Sequence, residues 1–178
     1  MMTREQLVCE PQSTGSVRVL GPVDIDTLIT SLDSFIQKAK AGERQQGLRW
    51  AGETEGVGRL MYGNQPTLIK QSDFNHWIEG TEELQKIAKA YNARDTGRVR
   101  MLTLQPNSCY SFHADKDGWR LHIPLVTNVD SFLVVDGKLW HLPVGNIYLI
   151  KVLDFHCAMN AGTESRVHIV FDWCDHLA

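Results

Sequence analysis

Two short apolar runs meet at an Asp-Gly pair in residues 131–142, which read SFLVVDGKLWHL. Asp-Gly between alternating apolar residues is a strong hairpin signal, because the tight turn between two strands needs residues that accept positive backbone φ angles. The stretch therefore predicts two antiparallel strands, Ser131–Val135 and Lys138–Leu142, joined by a turn at Asp136 and Gly137.

The same strand-like pattern extends on both sides of this hairpin, from Gly97 to Trp173. Turn residues separate short runs that are rich in β-branched and aromatic side chains. Eight strands are predicted: Val99–Leu104, Cys109–Asp115, Trp119–Val126, Ser131–Val135, Lys138–Leu142, Ile147–Ile150, Phe155–Met159 and Arg166–Trp173. Such a series predicts a mainly β fold with flanking helices, built on a double-stranded β-helix core of the jelly-roll, cupin-like kind.

Helical periodicity comes before the strands. Apolar residues recur at helical spacing from about Asp24 to Ala41 and again within Trp77–Tyr91. We expect one domain over residues 1–178, in which residues 1–96 form a helical and loop support and residues 97–174 form the β-helix core.

Glycine-rich residues 42–66 lie between the two predicted helices. Six glycines in this span favour turns over a buried element. The span is either a lid over a substrate or a surface hairpin with no role, and the sequence leaves both open. Arg49 and Arg59 within it are candidates to meet a polar or carboxylate substrate.

The composition is ordinary. Of 178 residues, 43% are hydrophobic and 22% charged, and the formal net charge is -3. These values give no electrostatic reason to expect nucleic acid or an anionic membrane as a partner. No apolar run approaches the roughly 18 residues of a membrane span, and none resembles a signal peptide. The four scattered cysteines form no C-x-x-C pair, so we expect reduced thiols and a cytoplasmic location.

An H-x-D pair on the second predicted strand is the first sign of chemistry. Residues two apart on a strand face the same side, so His113 and Asp115 can share one metal ion. His156, at the start of the seventh predicted strand, is the best candidate for a third ligand. Two histidines and one carboxylate with open positions are typical of a non-haem iron(II) centre.

Arg166 follows His156 by ten positions and enters the last predicted strand. A hairpin between these strands places its guanidinium deep in the barrel, beside the metal site. A buried guanidinium is costly unless it meets a carboxylate, which it binds in bidentate geometry. A dicarboxylate that chelates the metal at one end and meets Arg166 at the other fits this arrangement.

Other readings of these residues stay open. One is a cupin-like module that binds a metal or an anion without oxygenase activity. A zinc hydrolase with the same three ligands is a third possibility, but it leaves the arginines Arg120 and Arg166 unexplained.

From about Arg98 to Trp173, the chain resembles the iron(II)- and 2-oxoglutarate-dependent dioxygenases. More narrowly, it is similar to their aspartyl/asparaginyl β-hydroxylase-like branch, which also includes some hydroxylases of free proline. The matching blocks are His113–Asp115, Trp119–Asn128, Gly145–Asn146, His156–Gly162 and Arg166–Trp173.

The resemblance implies a role for each candidate side chain. It implies that His113, Asp115 and His156 bind Fe(II), and that Arg166 binds the distal carboxylate of 2-oxoglutarate. In this branch an R-x-H segment also contacts the cosubstrate. Here that segment is Arg120-Leu121-His122, so the resemblance implies the same role for Arg120 and His122.

The implied reaction is the hydroxylation of an amino acid or an amino-acid residue of the aspartate, asparagine or proline type. Dioxygen (O2) and 2-oxoglutarate are consumed, and succinate and carbon dioxide are released. The expected partner is a small-molecule or peptide substrate, with no nucleic acid and no membrane.

Overall fold

The computed structural model describes residues 8–51, 74–91, 96–115 and 118–173. Within these residues the helices are α1 (Ile25–Ser31), α2 (Asp33–Lys40) and α3 (Glu82–Ala90). The strands are β1 (Val8–Cys9), β2 (Val17–Pro22), β3 (Gln45–Ala51), β4 (Phe74–Trp77), β5 (Thr96–Leu104), β6 (Ser108–Cys109), β7 (Trp119–Val126), β8 (Ser131–Val135), β9 (Lys138–Trp140), β10 (Asn146–Lys151), β11 (His156–Asn160) and β12 (Arg166–Trp173).

Two sheets of the described residues enclose the site. The smaller has five strands in the order β1-β9-β8-β11-β6, and the larger has seven in the order β2-β10-β7-β12-β5-β3-β4. The hairpin of β8 and β9 forms as predicted, with Asp136 and Gly137 at φ 52° and 67°. The mainly β, jelly-roll architecture with flanking helices is thus confirmed.

The helices cover one face of the larger sheet, and strand alternation decides what faces inward. On β7, Leu121 and Ile123 join the apolar cluster formed with the helices, whereas Arg120 and His122, which alternate with them, line a cavity between the sheets. Because successive side chains on a strand point to opposite faces, the apolar residues hold the helices and the polar residues build the site.

The first predicted helix is divided in two at Leu32. Asp24 caps α1 by accepting the backbone N–H of Thr27 at 3.1 Å. In the last turn of α1, the hydroxyls of Thr30 and Ser31 donate to backbone carbonyls one turn earlier. Side-chain hydroxyls that donate to backbone carbonyls compete with the hydrogen bonds of the helix. The spacing of the apolar residues alone does not predict this break.

The second predicted helix forms within Trp77–Tyr91, as α3, which begins at Glu82 after β4 (Phe74–Trp77). The hydroxyl of Thr81 donates to the carbonyl oxygen of Ile78 at 2.6 Å instead of capping α3. Among the described residues, no helix is both long and apolar enough to cross a membrane.

Strands that precede residue 96 belong to both sheets: β1 pairs with β9, β2 with β10, and β3 with β5. The amino-terminal part therefore adds strands, as well as helices, to the core. The division into a support and a core remains a prediction. Of the glycine-rich span, residues 45–51 form β3, while residues 52–66 of the suggested lid lie outside the described residues.

The second predicted strand is much shorter than Cys109–Asp115. Regular pairing with β11 ends at Cys109. The chain rejoins β11 at His113, whose backbone N–H donates to the carbonyl oxygen of His156 at 3.1 Å and whose carbonyl accepts the N–H of His156 at 2.8 Å. This isolated bridge brings the two histidines side by side.

Candidate active site

A cavity of about 720 Å³ opens between the two sheets. All six site residues that the sequence predicts are among those that line it: His113, Asp115, Arg120, His122, His156 and Arg166. They come from β7, β11, β12 and the segment after β6.

His113, Asp115 and His156 form a cluster of possible metal ligands. Their ligand atoms all lie within 4.8 Å of one another. The Nε2 atom of His113 is 3.6 Å from Oδ1 of Asp115, and the two imidazole centroids are 4.5 Å apart. One metal ion can therefore be reached by two imidazoles and one carboxylate.

The backbone fixes which nitrogen of each imidazole is available. Nδ1 of His113 lies 2.7 Å from the carbonyl oxygen of Ser111, and Nδ1 of His156 lies 3.0 Å from that of Asp154. A carbonyl oxygen only accepts, so each Nδ1 carries a proton, and in the neutral imidazole the lone pair is on Nε2. Burial lowers the pKa of His156, which favours the neutral form that a metal ligand needs.

Arg120 holds the carboxylate of this cluster. Its Nη2 donates to Oδ2 of Asp115 at 2.9 Å, and its Nε lies 3.2 Å from Oδ1 of Asp172. Because Arg120 occupies Oδ2, the other oxygen of Asp115 remains for a metal ion. Outer-shell partners of this kind orient metal ligands.

Asp172 is also bound by Arg98 and Arg100, whose Nη2 atoms each lie 3.0 Å from one of its oxygens. Burial alone raises the pKa of Asp172, but the three arginines outweigh burial and hold the pKa at about 2. The sequence interpretation missed these residues. Asp172 lies six positions after Arg166 on the same strand and therefore faces the same side, which is the feature of the sequence that could have indicated it.

Arg166 is a buried cation without a carboxylate partner among the described residues. Its side chain is 3% exposed, and its Nη2 lies 2.9 Å from Nδ1 of His168. Burial lowers the pKa of Arg166 to about 10, which still leaves it charged at neutral pH. A buried positive charge of this kind is costly without an anion, so this end of the cavity suits a carboxylate.

The His168 imidazole acts as the acceptor for Arg166. Since a guanidinium only donates, Nδ1 of His168 is the unprotonated nitrogen. Burial and then Arg166 lower the pKa of His168 well below 6.5. The imidazole is therefore neutral and can accept from the guanidinium.

His122 lies beside His168, with ring centroids 5.9 Å apart, edge to face. Burial and then Arg166 lower its pKa well below 6.5. Its Nδ1 is buried and has no hydrogen-bond partner among the described residues. This nitrogen is available to a ligand in the cavity.

The residues present fit an iron(II) ion and a dicarboxylate cosubstrate. Two imidazoles and one carboxylate match the facial ligand set of non-haem iron(II). Arg166 and the unpartnered Nδ1 of His122 supply polar groups in the same cavity.

Comparison with known proteins gives one family and several related folds. Residues 69–175 match the family model described as aspartyl/asparaginyl β-hydroxylase. Among solved structures, AviO1 from Streptomyces viridochromogenes Tue57 is 15% identical, with a TM-score of 0.58, and the match covers 92% of this chain and 91% of that one. No curated protein matches the sequence.

Two further structures are similar over nearly their full length. The viral collagen prolyl hydroxylase of Paramecium bursaria Chlorella virus-1, solved with 2-oxoglutarate, is 10% identical with a TM-score of 0.57, and the match covers 90% of this chain and 96% of that one. An oxidoreductase of the 2-oxoglutarate–Fe(II) oxygenase family from Burkholderia pseudomallei is 10% identical with a TM-score of 0.54, covering 95% and 99%. At these identities the likeness establishes a common fold.

Proposed function

Because the chain belongs to the aspartyl/asparaginyl β-hydroxylase family and is therefore an iron(II)- and 2-oxoglutarate-dependent hydroxylase, we propose that it hydroxylates an amino acid or amino-acid residue of the aspartate, asparagine or proline type. The family match confirms the resemblance predicted from the sequence, together with the enzyme class and the cofactors Fe(II) and 2-oxoglutarate. The substrate and the residue roles are part of the proposal.

One observation supports this proposal above all. The ligand atoms of His113, Asp115 and His156 lie within 4.8 Å of one another, in the same cavity as the buried cation Arg166. A binding module without oxygenase activity does not account for the family match, and a zinc hydrolase does not account for Arg166.

Each residue has a task set by its contacts. In this proposal His113 and His156 bind Fe(II) through Nε2, because their Nδ1–H groups donate to backbone carbonyls. Asp115 binds through Oδ1, since Oδ2 accepts from Arg120. Fe(II) and 2-oxoglutarate, when bound, supply the activation of dioxygen, with release of succinate and carbon dioxide.

The cosubstrate is held by groups that line the other part of the cavity. Arg166 receives the distal carboxylate of 2-oxoglutarate, and His168 keeps the guanidinium oriented by accepting one of its N–H groups. His122 offers its unpartnered Nδ1 to the same ligand. Arg120 contributes its positive charge to this region while it contacts Asp115 and Asp172.

The direct test is succinate formation from 2-oxoglutarate by the iron-loaded protein, in air, with a panel of amino acids and short peptides. We expect one member of the panel to stimulate succinate release and to gain one oxygen atom, as measured by mass spectrometry. An iron chelator must stop both reactions. Stimulated turnover without any oxygenated product across aspartate, asparagine and proline compounds would contradict the proposed substrate class.

A further inference from the structure

The inward face of β11 carries three buried residues, each two positions from the next: His156, Ala158 and Asn160. His156 is a proposed ligand of the metal ion. Asn160 lies at the opposite end of the strand, about 13 Å away at the usual rise of an extended chain. Ala158 is therefore midway between the two ends of this face.

Arg166 is close to the Asn160 end. The Nδ2 atom of Asn160 donates to the carbonyl oxygen of Leu104 at 3.1 Å, and Leu104 is the partner of Arg166 in the pairing of β5 with β12. The proposed metal ligand and the buried cation thus belong to opposite ends of the same face. Since Ala158 lines the cavity, a molecule that reaches from the metal ion to Arg166 passes it.

Apolar side chains larger than alanine line the cavity together with Ala158. Leu133 is its direct partner on β8, and Ile150 and Val152 of β10 and the segment after it also face the cavity. All of them belong to one buried apolar cluster, in which every other buried member is valine or a larger residue. The single methyl group of Ala158 therefore leaves space, midway along the face, that a larger side chain would occupy.

Building on the residue roles proposed above, we infer that Ala158 sets the width of the passage between the metal ion and Arg166 and so selects an unbranched dicarboxylate. 2-Oxoglutarate has two CH2 groups, C3 and C4, between its 2-oxo acid end and its distal carboxylate. These carbons lie beside the Ala158 methyl group. A branch on either carbon, or a branched side chain in place of Ala158, competes for the same space, and close-packed apolar walls accommodate added methyl groups only at a cost.

The test is calorimetric titration of the Fe(II)-loaded protein, without oxygen, with 2-oxoglutarate and with racemic 3-methyl-2-oxoglutarate. The wild-type protein is expected to bind 2-oxoglutarate about tenfold more tightly than the methyl compound. Ala158→Val is expected to weaken the binding of 2-oxoglutarate by about tenfold, as overpacking does. The affinity for Fe(II), titrated separately into the metal-free protein, should stay unchanged because the three proposed ligands remain in place.

Two further variants distinguish the width of the passage from effects on folding. Ala158→Gly widens the passage and is expected to reduce the preference for 2-oxoglutarate over the methyl compound by about fivefold. This variant decides the question if Ala158→Val fails to fold. Ala161→Val makes the same substitution at an exposed position outside the cavity and should change neither affinity.

Any of four results would overturn the inference. They are equal wild-type affinities for the two compounds, an unchanged affinity for 2-oxoglutarate in folded Ala158→Val, an unchanged preference in Ala158→Gly, or a loss of Fe(II) affinity in Ala158→Val as large as its loss of 2-oxoglutarate affinity. Failure of the proposed function has a different signature, because the Fe(II)-loaded wild-type protein then does not bind 2-oxoglutarate at all, and the inference fails with it.

Discussion

Arg166 and His168 form a buried pair in which a cation donates to a neutral imidazole at 2.9 Å. A carboxylate in the place of His168 would neutralise Arg166 and compete with the cosubstrate for it. An imidazole orients the guanidinium and leaves its charge available. The choice of a neutral partner therefore fits a site that binds a dianion.

Two substitutions of His168 distinguish a role in orienting the Arg166 guanidinium from a role in packing. His168→Leu removes the acceptor, so we expect the KM for 2-oxoglutarate to rise by about fivefold to tenfold, as for one lost hydrogen bond, with a smaller change in kcat. His168→Asn keeps an acceptor near the position of Nδ1 and should restore most of the affinity. The measurement is succinate formation as a function of 2-oxoglutarate concentration.

Equal KM values for the Leu variant and the wild type would exclude this role for His168. Equal loss in both variants would instead point to packing, because only one of the two lacks the acceptor.

The turn between β11 and β12 sets the distance between His156 and Arg166, and one buried amide organises it. Nδ2 of Asn160 lies within 3.2 Å of the carbonyl oxygens of Leu104, Gln105 and Glu164. Its Oδ1 accepts from Asn128 at 3.0 Å. A methyl group on Gly162 would overlap the Asn128 side-chain amide, so any larger residue there forces that hydrogen-bonded side chain to move.

Asn160→Ala should therefore destabilise the protein without touching the cavity. Because several buried backbone carbonyls and the Asn128 amide lose a partner, we expect the free energy of unfolding to fall by about 2–3 kcal/mol. Thr163→Ala, at an exposed position of the same turn, is the control and should change it by less than about 0.5 kcal/mol. Urea unfolding measures both, and equal values for the two variants would contradict the assigned role of Asn160.

Strand phase explains what could be predicted from the sequence. The sequence predicts His113, Asp115, His156 and Arg166 as candidate site residues, because an H-x-D pair, a later histidine and an arginine ten positions beyond it form a recognisable order. The partners of Asp172 depend on the register of β12 against β5 and β7, which single-strand patterns do not specify. The break at Leu32 and the pairing of β3 with β4 likewise depend on contacts outside the local pattern.

Within the molecule as a whole, the buried histidines connect stability to pH. The pKa values of His122 and His168 are lowered well below 6.5 by burial and by Arg166. Below about pH 6.5 the unfolded chain binds protons that the folded chain does not, so stability must fall as pH falls. The opposite slope would require raised pKa values.

For the metal-free protein we expect the free energy of unfolding to fall from about pH 6.5 downward, by up to about 1.4 kcal/mol per pH unit for each of the two histidines. His168→Asn removes one of them and should reduce the slope. The measurement is urea unfolding at a series of pH values down to about pH 5. At these pH values Asp172, whose pKa is about 2, does not yet contribute to the pH dependence of the free energy of unfolding. A flat profile, or an unchanged slope in the variant, is incompatible with this explanation.

The central claim is that His113, Asp115 and His156 bind Fe(II) in a cavity that also binds 2-oxoglutarate. The most direct measurement is the visible absorption spectrum of the protein with Fe(II) and 2-oxoglutarate in the absence of oxygen. The wild-type protein should show the weak charge-transfer band of an iron(II)–2-oxoglutarate chelate, and His113→Ala, folded by circular dichroism, should lack it. A wild type without the band, or a His113→Ala variant with the same band, would contradict the claim.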